Sequence, residues 1–293
     1  MPRKRFEWKF RDKVLQLGDR TLLVAVLNIT PDSFSDGGKY LDPDRAFAHA
    51  VELEEAGADI IDIGAESTRP GAARISEAEE LRRLIPVLKR LKNKLTVPLS
   101  VDTYKSGVAE KALELGADIL NDPSALTFDP DMARAAVRGD AGLILNHMRG
   151  TPETWAKLPP LKDVIQTISR ELNASVHRAT IAGVDRKRIV IDPGLGFGKR
   201  KEQNSEVLAQ LEILAQLDLP MMVGPSRKLF LARDSEQGTA FATAAAVAAC
   251  VLKGAQMVRV HDVKAMKPVV EVADEIARSG VQQDDEMAAD KRR

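Results

Sequence analysis

Eight short apolar runs, stretches of helical periodicity between them, and polar residues after nearly every run predict an α/β fold: a single-domain (β/α)8 barrel of the TIM type. The runs are Leu22 to Leu27, Asp59 to Ile63, Val97 to Val101, Asp118 to Leu120, Gly142 to Leu145, Ile189 to Ile191, Pro220 to Val223 and Met257 to Val260. Between them, segments such as Asp44 to Glu55 and Ser76 to Leu91 carry apolar residues three and four apart, the period of a helix with one buried face. EEAGADIIDIG, ALELGADILND and VLKGAQMVRVH form a weak internal echo, each with a glycine after a helical run and a strand just beyond. Glycine ends a helix there because it accepts the left-handed conformation. An open doubly wound sheet, the alternative, usually has fewer strands.

A chain of 293 residues accommodates one such barrel of roughly 250 residues with short extensions. We assign 1–20 to an N-terminal extension, 21–280 to the barrel and 281–293, VQQDDEMAADKRR, to a charged tail too poor in apolar residues to stay ordered. Residues 6–20 read as a hairpin, with Gly18-Asp19 as its turn, able to plug the barrel bottom. Thr151 to Leu172, which contains Pro159-Pro160, reads as a longer loop followed by a helix.

Charge and cysteine content exclude several functions. Lys+Arg and Asp+Glu both number 43, so no global field favours nucleic acid or an anionic membrane, and any anion site must be local. Cys250 is the single cysteine, which rules out an internal disulfide or a cysteine-rich zinc site; in AAAVAACVLKGA it reads as a buried, inert thiol. The basic start MPRKRFEWKFRDK has no uninterrupted apolar segment after it, and Gly238 to Leu252, the longest uncharged stretch, is shorter than the ~20 residues of a membrane span. The expected location is the cytoplasm.

In a barrel the C-terminal strand ends converge on one face, where active sites are built. Here those ends carry Asn28, Gly64 to Arg69, Asp102, Asn121, His147, Asp192, Gly224 to Lys228, and Arg259 with His261. Asp102, Asn121 and Asp192 are short, stiff acceptors suited to a planar heterocycle bearing N–H donors. Asn28, Arg69, Lys228, Arg259 and His261 supply donors and positive charge suited to phosphate oxygens. Arg259 and His261, two apart on a strand, share one side. His49 and His177 sit in helical stretches as packing or surface residues, while His147 serves as a cavity wall as readily as a ligand. The polar stretch from Asn28 to Gly38 ends in a glycine pair and reads as a mobile lid, although an ordinary β–α loop has the same composition. The glycines of IDPGLGFGK match neither the dinucleotide nor the P-loop spacing.

In order along the chain, LNITPDSFSDGG, ESTRPGA, SVDTYK, LND, HMRGTP, IDPGLGFGK, VGPSRK and VRVHDV resemble the dihydropteroate synthase family over residues 22–270. The resemblance implies a transferase of folate biosynthesis that joins 6-hydroxymethyl-7,8-dihydropterin diphosphate to 4-aminobenzoate, releasing pyrophosphate with the help of Mg2+. It implies catalytic roles for Arg69, Lys228, Arg259 and His261. By the family's motifs, Asp102, Asn121, Met148, Asp192, Phe197 and Lys228 hold the pterin, and Asn28, Thr68, Arg69, Arg259 and His261 surround the diphosphate. Phe34, Thr68, Pro70 and Ser226 shape the aminobenzoate site, and Asn28 and Asp36 lie near the metal. A homodimer through barrel helices is a further implication, and the family is a sulfonamide target, which leaves this chain's own sensitivity open. Four positions depart from the family's pattern, Ala65, Pro123, Asn146 and Leu229, and none removes a named polar group; Leu229 bears on the aminobenzoate side.

With no evident nucleophile or general base in the set, the expected route is dissociative, the leaving group departing before the amine attacks. Two other readings share the barrel. A methyltetrahydrofolate:corrinoid methyltransferase needs the Asp/Asn pterin contacts but no diphosphate pocket, and a non-catalytic paralogue binds a pterin without turning it over.

Overall fold

The computed structural model describes residues 3–30 and 42–290, with side chains to Ser279. A hairpin, β1 (Phe6–Phe10) and β2 (Lys13–Leu17), precedes the barrel. It turns at Arg11-Asp12, where Arg11 takes a positive φ of 49° and Phe10 faces Lys13, and not at Gly18-Asp19. Gly18, at φ 108°, instead swings the chain out of the hairpin toward the barrel. Two-residue hairpin turns favour Asn, Asp or Gly at the first position and Gly at the second, and Arg11-Asp12 follows neither preference although Arg11 takes a positive φ.

Eight parallel strands follow: β3 (Leu22–Asn28), β4 (Ile60–Gly64), β5 (Leu99–Asp102), β6 (Ile119–Asp122), β7 (Gly142–Asn146), β8 (Ile189–Asp192), β9 (Met222–Val223) and β10 (Met257–Val260). They pair in the order β8-β7-β6-β5-β4-β3-β10-β9. Ile191 bridges Met221 in parallel and donates its N–H to the Pro220 carbonyl at 3.0 Å, which closes the ring between β8 and β9. The helices between them are α1 (Pro43–Glu55), α2 (Glu77–Leu91), α3 (Ser106–Glu114), α4 (Met132–Arg138), α5 (Val164–Ile181), α6 (Lys201–Ala209) and α7 (Glu236–Leu252), with α8 (Val263–Asp290) last.

Local chemistry sets the helix ends. Asp42, Ser76, Asp163 and Ser235 accept backbone N–H bonds from Asp44, Glu79, Gln166 and Gly238, caps of about 1 kcal/mol each. The three glycines of the internal echo, Gly57, Gly116 and Gly254, all lie at φ near +100° just past their helices. The backbone of α8 continues to Asp290, beyond the expected boundary at Gly280, because Gln, Glu, Met and Ala in that segment are good helix formers. No helix of the described residues is long and apolar enough to cross a membrane.

Strand alternation divides the core in two. Leu23, Ala25, Leu27, Ile61, Ile63, Leu143, Leu145, Val258 and Val260 pack outward against the helices, with buried Cys250 among them. Leu22, Val24, Ile60, Ile119, Ile144, Val190, Met222 and Met257 point inward in the lower half of the barrel and pack on Trp8, Phe10 and Leu17 of the hairpin. Trp8 and Phe10 are wholly buried there, and the Trp8 Nε1–H donates to the Arg188 carbonyl at 2.8 Å. The hairpin is the barrel floor.

Candidate active site

Above that floor the inward positions become polar. They are Asp62 on β4, Ser100 and Asp102 on β5, Asn121 on β6, Asn146 on β7, Asp192 on β8 and Arg259 on β10. Asp62, which the sequence reading passed over, is the hub. Its Oδ1 accepts from Ser100 Oγ at 2.6 Å, and its Oδ2 accepts from Asn121 Nδ2 at 2.9 Å and from Arg259 Nη1 at 3.0 Å. Arg259 Nη1 also donates to Asp102 Oδ2 at 3.0 Å. A carboxylate inside the apolar run IIDIG was the available signal, since such a group is costly unless paired. The acceptor set and the basic set, separate in the sequence, therefore share Arg259, which props the first while belonging to the second.

Several acceptors in this layer are buried without a donor among the described residues: Asn121 Oδ1, Asn146 Oδ1 and Asp192 Oδ2. The other ends of these side chains are committed. Asp192 Oδ1 accepts the Gly194 N–H at 2.7 Å, and Asn146 Nδ2 donates to the Pro123 carbonyl at 2.9 Å. Leaving a buried acceptor unmet costs about 1–3 kcal/mol, so three together favour a ligand rich in N–H groups. Burial, then the nearby charge of Asp62, pushes the Asp102 carboxyl up to about 7 against the opposing pull of Arg259. Burial likewise raises Asp192.

The basic side is built on the loops after β9 and β10. Burial and the charge of Arg259 bring the Lys228 ammonium down to about 7, and its Nζ lies 4.2 Å from the centre of the buried Phe197 ring. Ser226 Oγ accepts the His261 backbone N–H at 3.2 Å and lies 3.0 Å from Nδ1. When the Ser226 hydroxyl donates to Nδ1, the ring proton sits on Nε2. Burial and the charges of Arg227, Lys228, Arg259 and Arg69 hold the imidazole down at about 3. His261 thus enters as a neutral N–H donor and not as a cation.

Asn28 ends β3 beside Gly64, where a Cβ would come 3.5 Å from Asn28 Oδ1. Thr68, Arg69 and Pro70 lie on the loop after β4, with Thr68 half-buried and the other two exposed. That loop is tied to the loop after β7 through the Gly71 N–H and the Pro152 carbonyl at 2.9 Å, and through the Arg74 N–H and Glu153 at 3.3 Å. Met148, expected in the pterin slot, lines a crevice of about 180 Å3 with His147, Ser124 and Glu171 beside α5, and the inward residue at the end of β7 is Asn146. His147 Nε2 lies 2.9 Å from Glu171 Oε2, and burial, then the charge of Lys199, holds its ring down at about 4. Phe34 and Asp36, with most of the expected lid, lie outside the described residues.

Lys199 was also missed. Its buried Nζ donates to the carbonyls of Gly194 at 2.7 Å, His147 at 3.2 Å and Phe197 at 3.3 Å, pinning the loop that presents Asp192 and Phe197. Gly194 cannot be replaced in that loop, because at φ 66° an added Cβ would sit 1.9 Å from the His147 carbonyl oxygen.

Comparison with known proteins places this geometry. The family model of pterin-binding enzymes matches residues 24–261. A dihydropteroate synthase from Synechocystis sp. is 42% identical over 265 residues, covering 89% of this chain and 92% of that protein. A Yersinia pestis dihydropteroate synthase solved with a sulfonamide drug superposes with a TM-score of 0.88 at 38% identity, over 94% of this chain and 100% of that one. One from Xanthomonas albilineans, solved with 4-aminobenzoic acid, gives 0.85 at 38% identity, over 93% and 98%. The barrel, the layer of buried acceptors and a match running nearly end to end show that this chain belongs to the dihydropteroate synthase family of pterin-binding enzymes.

Proposed function

We propose that the chain catalyses the condensation of 6-hydroxymethyl-7,8-dihydropterin diphosphate with 4-aminobenzoate, yielding 7,8-dihydropteroate and pyrophosphate in the folate pathway. The observation that carries the reading is the layer of acceptors without a donor among the described residues, Asn121 Oδ1, Asn146 Oδ1 and Asp192 Oδ2, below a basic rim. A donor-rich ring suits the former and a diphosphate the latter.

In this reading Asp102, Asn121 and Asp192 hold the pterin edge, Phe197 walls the ring and Lys228 reaches its carbonyl side. Arg69, Thr68, Asn28, Arg259 and His261 face the diphosphate. The carbon–oxygen bond breaks heterolytically and its electron pair leaves with the diphosphate, while the electron-rich dihydropterin spreads the positive charge of its exocyclic methylene. Arg259 and the Nε2–H of His261 meet the growing negative charge. The neutral arylamine then attacks the methylene with its nitrogen lone pair and loses a proton to solvent, so no strong general base is required. Thr68, Pro70, Ser226 and Phe34 would shape the aminobenzoate side, and loop closure would keep water from trapping the cation.

Mg2+ takes oxygen donors and commonly combines one or two protein oxygens with substrate phosphates and water. The amide oxygen of Asn28 at the end of β3 fits such a shared site, and no group of three His, Cys, Asp or Glu among the described residues forms an all-protein cage. Bound there, the ion would neutralise charge on the diphosphate oxygens.

We also propose a homodimer through α7 and α8 and a cytoplasmic location. Leu252, Val272 and Ile276 are exposed and line an apolar groove of about 370 Å3 between the two helices, a surface a second copy would cover. Sedimentation of the variant Ile276→Lys as a monomer would support this, and an unchanged mass would oppose it.

Pyrophosphate release from the pterin diphosphate, measured with and without 4-aminobenzoate, tests the activity. Release that yields dihydropteroate supports the synthase; no release at all favours a methyltransferase or a silent pterin binder. Scrambling of labelled oxygen between bridging and non-bridging diphosphate positions without aminobenzoate supports the dissociative route. A strict need for aminobenzoate before any cleavage contradicts it.

A further inference from the structure

We propose that Asn146 is a pterin-recognition residue, its Oδ1 accepting one N–H of the ring's 2-amino group. The inference rests on the reading of the barrel interior as a pterin site. Asn146 ends β7 directly opposite Asp192 on β8, on the same inward side as Ile144 in the floor. It is 1% exposed, so its amide has lost water on both sides.

The orientation of that amide is fixed. Nδ2 donates to the Pro123 carbonyl at 2.9 Å, and a Cβ on Gly194 would lie 3.3 Å from the same nitrogen, so the group is wedged between the loop after β6 and the turn after Asp192. Oδ1 is the free end, buried and without a donor among the described residues. Two positions that depart from the family's pattern, Pro123 and Asn146, are thus joined by one hydrogen bond that aims a new acceptor.

Pterin chemistry supplies the matching donor. The two N–H bonds of the 2-amino group diverge, so one carboxylate can take N3–H and one amino N–H but not the other. The second points away from that carboxylate, toward a neighbouring strand, and β7 is the strand that pairs with β8 on the side of Asn146. Asp192 Oδ2 and Asn146 Oδ1 then divide the amino group between them. A residue without an acceptor at this position would leave that N–H unmet on binding.

The test compares two ligands on two proteins. Binding of 6-hydroxymethyl-7,8-dihydropterin and of its 2-deamino analogue is measured by calorimetry on wild type and on Asn146→Leu. The substitution is expected to weaken the dihydropterin about tenfold and the 2-deamino analogue less than twofold. Equal losses for both ligands, or no loss for the dihydropterin, overturn the assignment, since a merely structural residue would affect both alike. Wild type that binds neither ligand overturns the pterin reading itself, and this inference with it. Asn146→Ala, which also lacks a side-chain acceptor and adds no bulk to the buried layer, carries the same comparison if Asn146→Leu does not fold.

Discussion

Replacing Asp62 by Asn removes one charge from the centre of the barrel and little else. The isosteric amide can keep its oxygen toward Arg259 and Asn121 and offer its N–H to Ser100 Oγ, so the geometry of the three contacts survives. Removing one partner of a buried ion pair costs about 3–5 kcal/mol when the other charge is left alone, but Arg259 retains Asp102 at 3.0 Å. A loss of about 2–3 kcal/mol follows, lowering Tm by about 3–5 °C in a chain of this length. The same substitution acts on Asp102 in the opposite sense. That carboxyl is held up to about 7 by burial and then by Asp62, so without Asp62 it ionises at lower pH. Under the proposed reading the ionised form accepts the pterin N–H. Wild-type affinity should therefore fall as pH drops through about 7, and the variant's acid limb should lie at lower pH. Thermal melts and calorimetric titrations of dihydropterin between about pH 5 and 8.5 measure both effects. An acid limb that stays in place or moves upward refutes the coupling between the two carboxylates.

Asp192→Asn should weaken dihydropterin at least a hundredfold, about 3 kcal/mol, because the amide keeps the Gly194 bond and turns its own N–H toward the ring donors; a loss under fivefold in calorimetry would count against the acceptor role. Lys228→Met should lose the ligand yet stabilise the apo protein by about 2–4 kcal/mol at pH 7, read as a rise in Tm. The sign follows because the folded-state lysine ionises near 7 and the unfolded one near 10.5, so the unfolded chain holds the extra proton between those values. Wild-type stability thus climbs with pH across that window, and the advantage of Lys228→Met should shrink as pH rises from 7 to 10; a constant advantage would remove burial of the charge as its cause. Trp8→Ala should cost about 3–5 kcal/mol through the cavity it opens under the strands, in denaturant melts that monitor the whole barrel. A hairpin that melts separately, leaving the barrel transition unmoved, would show the floor to be an accessory.

The strands were legible because a (β/α)8 barrel buries both strand faces, which writes each strand as a run of Val, Ile and Leu; Leu22, Gly142, Ile189 and Met257 begin strands at the residues where the runs begin. The hairpin turn was misplaced because glycine is a louder signal than Arg11-Asp12. Asp102, Asn121 and Asp192 stood out at strand ends, whereas Asp62 lay inside a strand and its partners came from β5, β6 and β10, contacts that exist only once the barrel closes. Lys199 closes the glycine-rich run IDPGLGFGK, whose spacing excludes a nucleotide motif and whose family resemblance gives the lysine no task. Asn146 was noticed as a departure without a purpose. Met148, two residues further on, lies past the end of β7 in the crevice with His147 and Glu171, where strand alternation no longer says which way a side chain faces.

The floor made by Trp8, Phe10 and Leu17 leaves the barrel without a back door. Whatever reaches the acceptor layer must pass the rim, and whatever lies deepest is trapped behind anything that arrives later. Under the proposed reading the vessel works as a stack, last in and first out: the pterin diphosphate settles before the amine can find its place, and the joined product departs amine end foremost. Traffic order, ordinarily the task of moving gates, would here be imposed by two short strands that never touch a substrate.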